Sequence, residues 1–290
     1  MNASLLIDLN NIVDQLNIVY HDRTLSTTHA WWLIEAATKT SRTYLMGHNQ
    51  KTLSDEEKRW IDEAVEKITC HHKPIQYIIG SVPFLHVTIS VEPPILIPRP
   101  ETEAWVADLI EFLKKSSISP QTILDLCTGS GCIALALAHA FPRSTVDAVD
   151  IDNHACTLTQ KNILNNRITN VRCLQGDLFS PLDCAAPYNL IVANPPYIPS
   201  PLYHQLDASV RLWEAYHALI GEVDGLSIIR RIITQAPHYL QPGGLLCIEI
   251  DATQGKIVYD LFEQAHFSDV TIVYDDHQRT RMVFGTYQGN

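Results

Sequence analysis

Two hydrophobic rhythms divide the chain. Up to about residue 73 apolar positions recur at helical spacing, and from residue 121 short apolar runs alternate with helical stretches. Leu5, Leu9, Ile12 and Leu16 share one face of an opening helix. Thr28 is placed to cap a second helix carrying Trp31, Trp32, Leu33 and Ile34, and Gly47 to end a short helical segment around Leu45. Ser54, with Glu57 three residues on, reads as a capping box ahead of Trp60, Ile61, Ala64, Val65 and Ile68. Residues 1–73 are therefore expected to form a small helical domain, whose aromatic residues serve its own core. Between residues 74 and 98 the period changes. Segments 75–80 and 86–91 read as two strands, with the turn starting at Gly80, a hairpin linker to the remainder at 99–290. Residues 97–103 then enter a helix through a proline suited to its first turn, with Trp105, Val106, Leu109, Ile110 and Leu113 on its apolar face.

Alternation of strands and helices from residue 121 implies a parallel sheet. Strands are expected at 122–127, 145–150, 171–175, 188–193 and 245–250, and helices at 131–141, 153–166 and 254–266. Residues 198–223 read as a long polar loop followed by a helix to residue 240. Segments 270–274 and 281–287 flank a polar turn and suit a closing antiparallel pair.

The stretch from Tyr188 to Tyr197 organises this half of the chain. Its apolar run must stop at Asn194, because Pro195 and Pro196 remove two backbone donors and restrict the residues before them. The product is a stiff corner at the carboxyl end of a strand, where open α/β sheets bind ligands. Such a corner can hold a planar –NH2 group: the Asn194 side-chain oxygen and the Pro195 carbonyl each accept one hydrogen, and Tyr197 offers a flat face. By itself Asn-Pro is also a common turn signal. The glycine loop upstream decides in favour of a site.

That loop, Asp125-Leu-Cys-Thr-Gly129-Ser-Gly131-Cys-Ile-Ala134, joins a strand to its helix, and its glycines allow a close backbone approach to a ligand. Asp150 ends the next strand, placed to accept from both ribose hydroxyls, and Asp177 ends the third, where it can accept from an adenine amino group. The spacing Gly129-x-Gly131-x-x-Ala134 also satisfies the dinucleotide fingerprint, so NAD is a rival. S-adenosylmethionine is favoured by Asp125, placed to meet the cofactor's amino-acid end, by Asp177, and by the amide-holding corner. No hydride-transfer acid is evident.

Composition narrows the field. Hydrophobic residues at 46% and charged residues at 18% describe an ordinary globular protein of 290 residues. A net charge of −11 argues against a broad grip on nucleic acid or acidic lipid. The seven cysteines, at 70, 127, 132, 156, 173, 184 and 247, contain no Cys-x-x-Cys pair, and the thirteen histidines no His-x-x-x-His spacing. Free thiols in the reducing cytoplasm are expected, and no metal site. No apolar run is long enough to span a membrane, and residues 1–16 lack the basic residues of a signal or transit peptide.

Taken together, these motifs resemble the glutamine methyltransferases that modify peptide-chain release factors, the PrmC/HemK family. The resemblance rests on Ile75-Gln-Tyr-Ile-Ile-Gly80, Ile97-Pro-Arg-Pro-Glu-Thr-Glu103, the Asp125 loop, Val149-Asp150, Gly176-Asp-Leu-Phe179 and Asn194-Pro-Pro-Tyr197, in that order over nearly the whole chain. It implies a Rossmann-like, seven-stranded class I S-adenosylmethionine-dependent methyltransferase domain behind a helical substrate-recognition domain. It also implies that Cys127, Thr128, Gly129, Ser130, Gly131, Asp150, Asp177, Leu178 and Asn194 meet the cofactor. Asn194, Pro195, Pro196 and Tyr197 would hold the substrate glutamine. Cys127 stands where this family usually has glycine, and related enzymes that act on a ribosomal-protein glutamine carry cysteine there. Trp213-Glu-Ala215 replaces a common Glu-Pro pair, and Asp251 stands where glycine is usual.

The implied activity is methylation of the glutamine side-chain nitrogen in the Gly-Gly-Gln motif of class I release factors by a monomeric enzyme. Its rivals are a ribosomal-protein glutamine methyltransferase, an amino methyltransferase acting on adenine or guanine, and a non-enzymatic cofactor sensor. Net acidity and the absence of a basic, aromatic-rich segment stand against the nucleic-acid substrate. The intact corner stands against the sensor.

Overall fold

The helical rhythm of the first quarter is realised as α1 (Ala3–Tyr20), α2 (Arg23–Thr38), α3 (Arg42–Gly47) and α4 (Asp55–His71). The computed structural model describes residues 3–48, 52–116, 119–183 and 187–289, so Cys184 lies outside the described residues. Ser54 and Glu57 form the expected reciprocal capping box at α4. α2 differs from expectation: Asp22, not Thr28, caps it, accepting from the amides of Thr24 and Leu25. Apart from Leu25 the first turn and a half of α2 is polar, so apolar periodicity starts late and Thr28 sits inside the helix, its hydroxyl donating to the Thr24 carbonyl. Leu5, Leu9, Ile12 and Leu16 of α1 pack with Trp31, Leu33, Ile34, Ile61 and Ile68 as one buried core.

Residues 75–80 are not a strand. Ile75–Ile79 forms a short helix, α5, entered after Pro74 and closed by Gly80 at φ 86°. A five-residue segment with four apolar positions carries too little periodicity to separate helix from strand, and the flanking proline and glycine decide it here. The hairpin lies later, as β1 (Ser81–Phe84) and β2 (Val87–Ser90).

The chain groups into two compact units, Met1–Gly80 with Asp207–Trp213, and Ser81–Leu206 with Glu214–Asn290. In the first, the Trp213 indole N–H donates to the His71 carbonyl at 2.9 Å and the Lys73 ammonium lies over its ring.

The second unit contains the sheet. After α6 (Pro100–Lys115), with Pro100 in its first turn, come β3 (Thr122–Leu126), α7 (Cys132–Ala140), β4 (Thr145–Asp150), α8 (Asn153–Asn165), β5 (Val171–Gln175) and β6 (Tyr188–Ala193). Residues 198–223 are more ordered than a polar loop. They hold a 3-10 turn at Ser200–Gln205, single helical turns α9 (Ala208–Arg211) and α10 (Tyr216–Leu219), and a bridge between Ile198 and Ile220. α11 (Ser227–Gln235) passes into a 3-10 turn at Ala236–His238, and β7 (Leu240–Glu249) starts earlier than its apolar run. The reason is that Leu240 already pairs with Tyr188, ahead of a register shift. α12 (Gly255–Gln264), β8 (Phe267–Tyr274) and β9 (Thr280–Tyr287) complete the chain.

Strand order is β5-β4-β3-β6-β7-β9-β8, parallel except at β9, which runs antiparallel to both neighbours. The chain turns back on itself between β3 and β6, and the crevice at such a switch point is where doubly wound sheets take ligands. The β1–β2 hairpin is fixed to α8 by two asparagines acting as strand mimics. Asn162 exchanges two hydrogen bonds with the Ser90 backbone and Asn166 two with that of Thr88.

Candidate active site

A cavity of about 620 Å³ opens at that switch point. Cys127, Thr128, Gly129, Ser130, Asp150, Asp177, Leu178, Asn194 and Pro196 line it. Asp125, Gly131, Pro195 and Tyr197 are not among the lining residues; Gly131, Pro195 and Tyr197 are chain neighbours of residues that are.

The β3 loop is built from underneath. Asp125 is fully buried, and its Oδ2 accepts from the Thr128 hydroxyl at 2.6 Å and the Ala134 amide at 3.1 Å. Burial pushes its carboxyl up to about 7, against the pull of those two hydrogen bonds. Among the described residues its Oδ1 has no partner. Asp125 thus shapes the loop rather than facing the cavity. Gly131 (φ 82°) passes so close to α8 that an added Cβ would meet Thr159 at 2.8 Å. Cys127 sits in the left-handed region at φ 58°, the conformation that favours glycine.

Asp150 closes β4 with each oxygen already taking one backbone amide, Gly129 at 2.8 Å and Asp152 at 2.9 Å. Its burial raises the carboxyl's affinity for a proton, and these amides oppose the rise. Each oxygen keeps a second lone pair for a ligand. Asp177 pairs one oxygen with Arg231 at 2.7 Å. Leu178, at φ 51°, is buried behind it.

The corner after β6 is held by groups remote in sequence. Asn194 Nδ2 donates to Thr102 Oγ1 at 3.3 Å. Among the described residues, no donor meets Asn194 Oδ1 or the Pro195 carbonyl. The Tyr197 hydroxyl donates to Glu249 Oε1 at 3.3 Å, and burial followed by the charge of Glu249 raises its pKa. Gln254 Nε2 donates to the Tyr197 carbonyl at 2.9 Å. Gly221 and Gly225 press on the same backbone: a Cβ at Gly221 would lie 2.5 Å from the Pro196 oxygen, and one at Gly225 2.2 Å from that of Tyr197.

Glu249, Thr102, Gln254, Gly221 and Gly225 were not visible as site residues in the sequence. One signal was available. Glu249 is an acid at the end of a strand whose other residues read as buried core, and a buried carboxylate must find donors. It finds Thr102, Trp105 and Tyr197.

Among the described residues no cluster of His, Cys, Asp and Glu is arranged to hold a metal ion, and no helix is long and apolar enough to cross a membrane.

Comparison with known proteins agrees with this architecture. Residues 21–80 match the family model described as the PrmC N-terminal domain, and residues 107–213 the methyltransferase small domain. The release factor glutamine methyltransferase of Gloeobacter violaceus is 38% identical over 238 residues, covering 79% of each chain. That of Geobacter sulfurreducens is 35% identical over 254 residues, covering 88% of this chain and 87% of its own. Among solved structures, the hMettl16 catalytic domain in complex with MAT2A 3'UTR hairpin 6 is 15% identical. It superposes with a TM-score of 0.57 over 89% of this chain and 93% of its own, which shows a shared fold.

Fold and site therefore define a Rossmann-like class I S-adenosylmethionine-dependent methyltransferase with an N-terminal helical region. Within that class, the chain belongs to the release factor glutamine methyltransferase family.

Proposed function

We propose that this enzyme methylates the side-chain nitrogen of the glutamine in the Gly-Gly-Gln motif of class I peptide chain release factors, with S-adenosylmethionine as donor. The observation that carries the reading is the corner itself. Among the described residues two carbonyl oxygens, Asn194 Oδ1 and that of Pro195, have no protein donor, and Asn194 lines the cavity of about 620 Å³.

The cavity residues fit the donor. Asp150 has one free lone pair on each oxygen for vicinal ribose hydroxyls, Asp177 retains an oxygen for an amino group, and the Cys127 to Ser130 segment lines the wall. When bound, the sulfonium supplies an electrophilic methyl group. Asn194 and Pro195 hold the two amide hydrogens of the substrate, which returns electron density to a nitrogen otherwise delocalised into its carbonyl. The two prolines keep both acceptors from relaxing away. Positioning and fixed dipoles thus provide most of the catalysis. Tyr197 is anchored by its hydroxyl to Glu249, so it stiffens the corner as well as flanking it.

Residues 1–73 would recognise the body of the factor, raising the local concentration of a loop whose glycines let the glutamine reach the corner. The working compartment on this reading is the cytoplasm.

The test is to incubate the full-length enzyme with labelled S-adenosylmethionine and, separately, a purified class I release factor, ribosomal proteins and RNA. Mass spectrometry then locates the methyl. One methyl on the Gly-Gly-Gln glutamine is expected. Methyl on a ribosomal-protein glutamine alone would move the enzyme to that substrate, and methyl on RNA alone would refute a protein substrate.

A further inference from the structure

Asn194 can accept from the substrate amide in only one of its two side-chain orientations; flipped, it would present an NH2 group to another NH2 group. The structure holds a device that selects the orientation. Thr102, on α6, lies with its hydroxyl 2.7 Å from Glu249 Oε2 and 3.3 Å from Asn194 Nδ2. The indole N–H of Trp105, which can only donate, reaches the same Glu249 oxygen at 2.6 Å. With Glu249 as the carboxylate, that oxygen accepts from Thr102 as well as from Trp105, and Thr102 uses its single hydrogen on it. Toward Asn194 the Thr102 hydroxyl can then only accept, so the group facing it is the amide NH2 and Oδ1 turns the other way.

We propose that Glu249, acting through Thr102, is a positioning residue for the methyl transfer: it sets the orientation of the Asn194 amide. The inference rests on the amide-holding role of Asn194 given above and names the residues that enforce it. Glu249 is 3% exposed at the end of β7, and Thr102 is 1% exposed. The second oxygen of Glu249 takes the Tyr197 hydroxyl, so one carboxylate governs both ends of the Asn194 to Tyr197 corner. Burying a carboxylate is costly. Reading out as a directed chain of hydrogen bonds gives that cost a purpose that an apolar side chain of equal size would not serve.

The test uses the full-length enzyme, labelled S-adenosylmethionine and a purified class I release factor. Thr102→Val removes the hydroxyl and keeps the shape. It should lower kcat roughly ten- to a hundredfold, the scale for residues that orient a direct ligand, with the KM for S-adenosylmethionine within about threefold of wild type. Thr102→Ser should restore most of the loss. Glu249→Gln, which can donate as well as accept, should lower kcat in the same range. In an Asn194→Ala background, Thr102→Val should have almost no further effect, because the residue through which it acts is gone. A Thr102→Val enzyme with wild-type kcat, or a loss that adds in full to that of Asn194→Ala, would overturn the proposal. Should Thr102→Val not fold, the Ser and Gln variants decide: a Thr102→Ser defect as deep as that of Asn194→Ala, or a wild-type Glu249→Gln, overturns it equally. Failure of the wild-type enzyme to methylate the factor would count against the substrate reading instead.

Discussion

The two halves of the site are built in opposite ways. The cofactor side is centred on a local loop: Asp125, Thr128, Gly129, Gly131 and Ala134 lie within ten positions and are tied to one another and to the adjacent strand end at Asp150, with longer ties from Thr159 to the Gly129 carbonyl and from Arg231 to Asp177. The substrate side is assembled from afar. Asn194 meets Thr102 across 92 positions, Tyr197 meets Glu249 across 52, and Gln254 reaches the Tyr197 carbonyl across 57. A local site can be specified by a short motif and read as one. A remote site needs the whole sheet in register before its parts meet, so its accuracy depends on the fold. Damage to the first should therefore show as weakened cofactor binding, and damage to the second as slowed chemistry.

Asn194→Ala tests that division most severely. It removes an acceptor on the reacting nitrogen, so kcat should fall by roughly a hundredfold or more, while calorimetric affinity for S-adenosylmethionine changes far less. Near wild-type turnover would reduce Asn194 to a turn residue. Asp150→Ala is the reciprocal experiment. Losing two hydrogen bonds to a charged acceptor, each worth about 1.5 kcal/mol or more, should weaken cofactor affinity roughly a hundredfold. Circular dichroism should be unchanged and kcat at saturation much less affected. If both variants fail in the same parameter, the two sides are not separable.

That division also explains what was legible in the sequence. β4, β5 and β6 have the bounds that the apolar runs imply, and the loop glycines, Asp150 and Asn194 stand at strand ends where the pattern puts them. The strand expected over 75–80 is instead the helix Ile75–Ile79, since five residues with Gln76 as the polar one carry too little period to separate the two. Thr102 and Glu249 were hidden for a different reason. Nothing in the neighbourhood of a threonine in a first helical turn, or of an acid closing a strand, says which distant side chain will face it. Gly221 and Gly225 gave no motif either, because their role is the absence of a side chain beside the backbone of residues 196 and 197.

Gly225→Ala probes the remote side more gently. Its φ of 75° and the 2.2 Å approach of the new Cβ to the Tyr197 carbonyl require the corner to shift. A displacement of this kind should cost on the order of tenfold in kcat, within the range attributed to misplaced reacting groups, and leave cofactor affinity near wild type. A wild-type kcat would mean that the corner tolerates displacement, against the positioning argument.

On the local side, Asp125→Asn should alter stability in a pH-dependent way. Burial raises the folded-state pKa of Asp125 to about 7, above its unfolded value. Such a carboxyl favours folding fully below the unfolded pKa, and that contribution is lost as pH rises from about 4 through about 7. The amide variant cannot ionise, so its melting temperature relative to wild type should improve between pH 5 and pH 8 in cofactor-free enzyme. A constant difference across that window would show that Asp125 ionises in the folded state as it does in the unfolded one.

The smallest effect concerns Cys127, a non-glycine residue at φ 58°. A side chain in the left-handed region costs about 1–2 kcal/mol, and glycine would remove that strain. Glycine would also lose roughly 0.5–1 kcal/mol through the greater freedom of its unfolded chain, together with the contacts of a thiol packed beside the main core of the sheet. These contributions nearly cancel, so Cys127→Gly should lie within about 1 kcal/mol of wild type. Cys127→Val should be clearly worse, because a β-branched residue tolerates positive φ poorly. Urea denaturation of the three proteins gives the ranking, and cofactor calorimetry on the glycine variant should show little change, since the Cys127 side chain packs against the core of the sheet. A glycine variant destabilised by well over 1 kcal/mol would mean that the thiol packs as a core residue. The local side of the site would then depend on distant contacts too, and the contrast between the two halves would narrow.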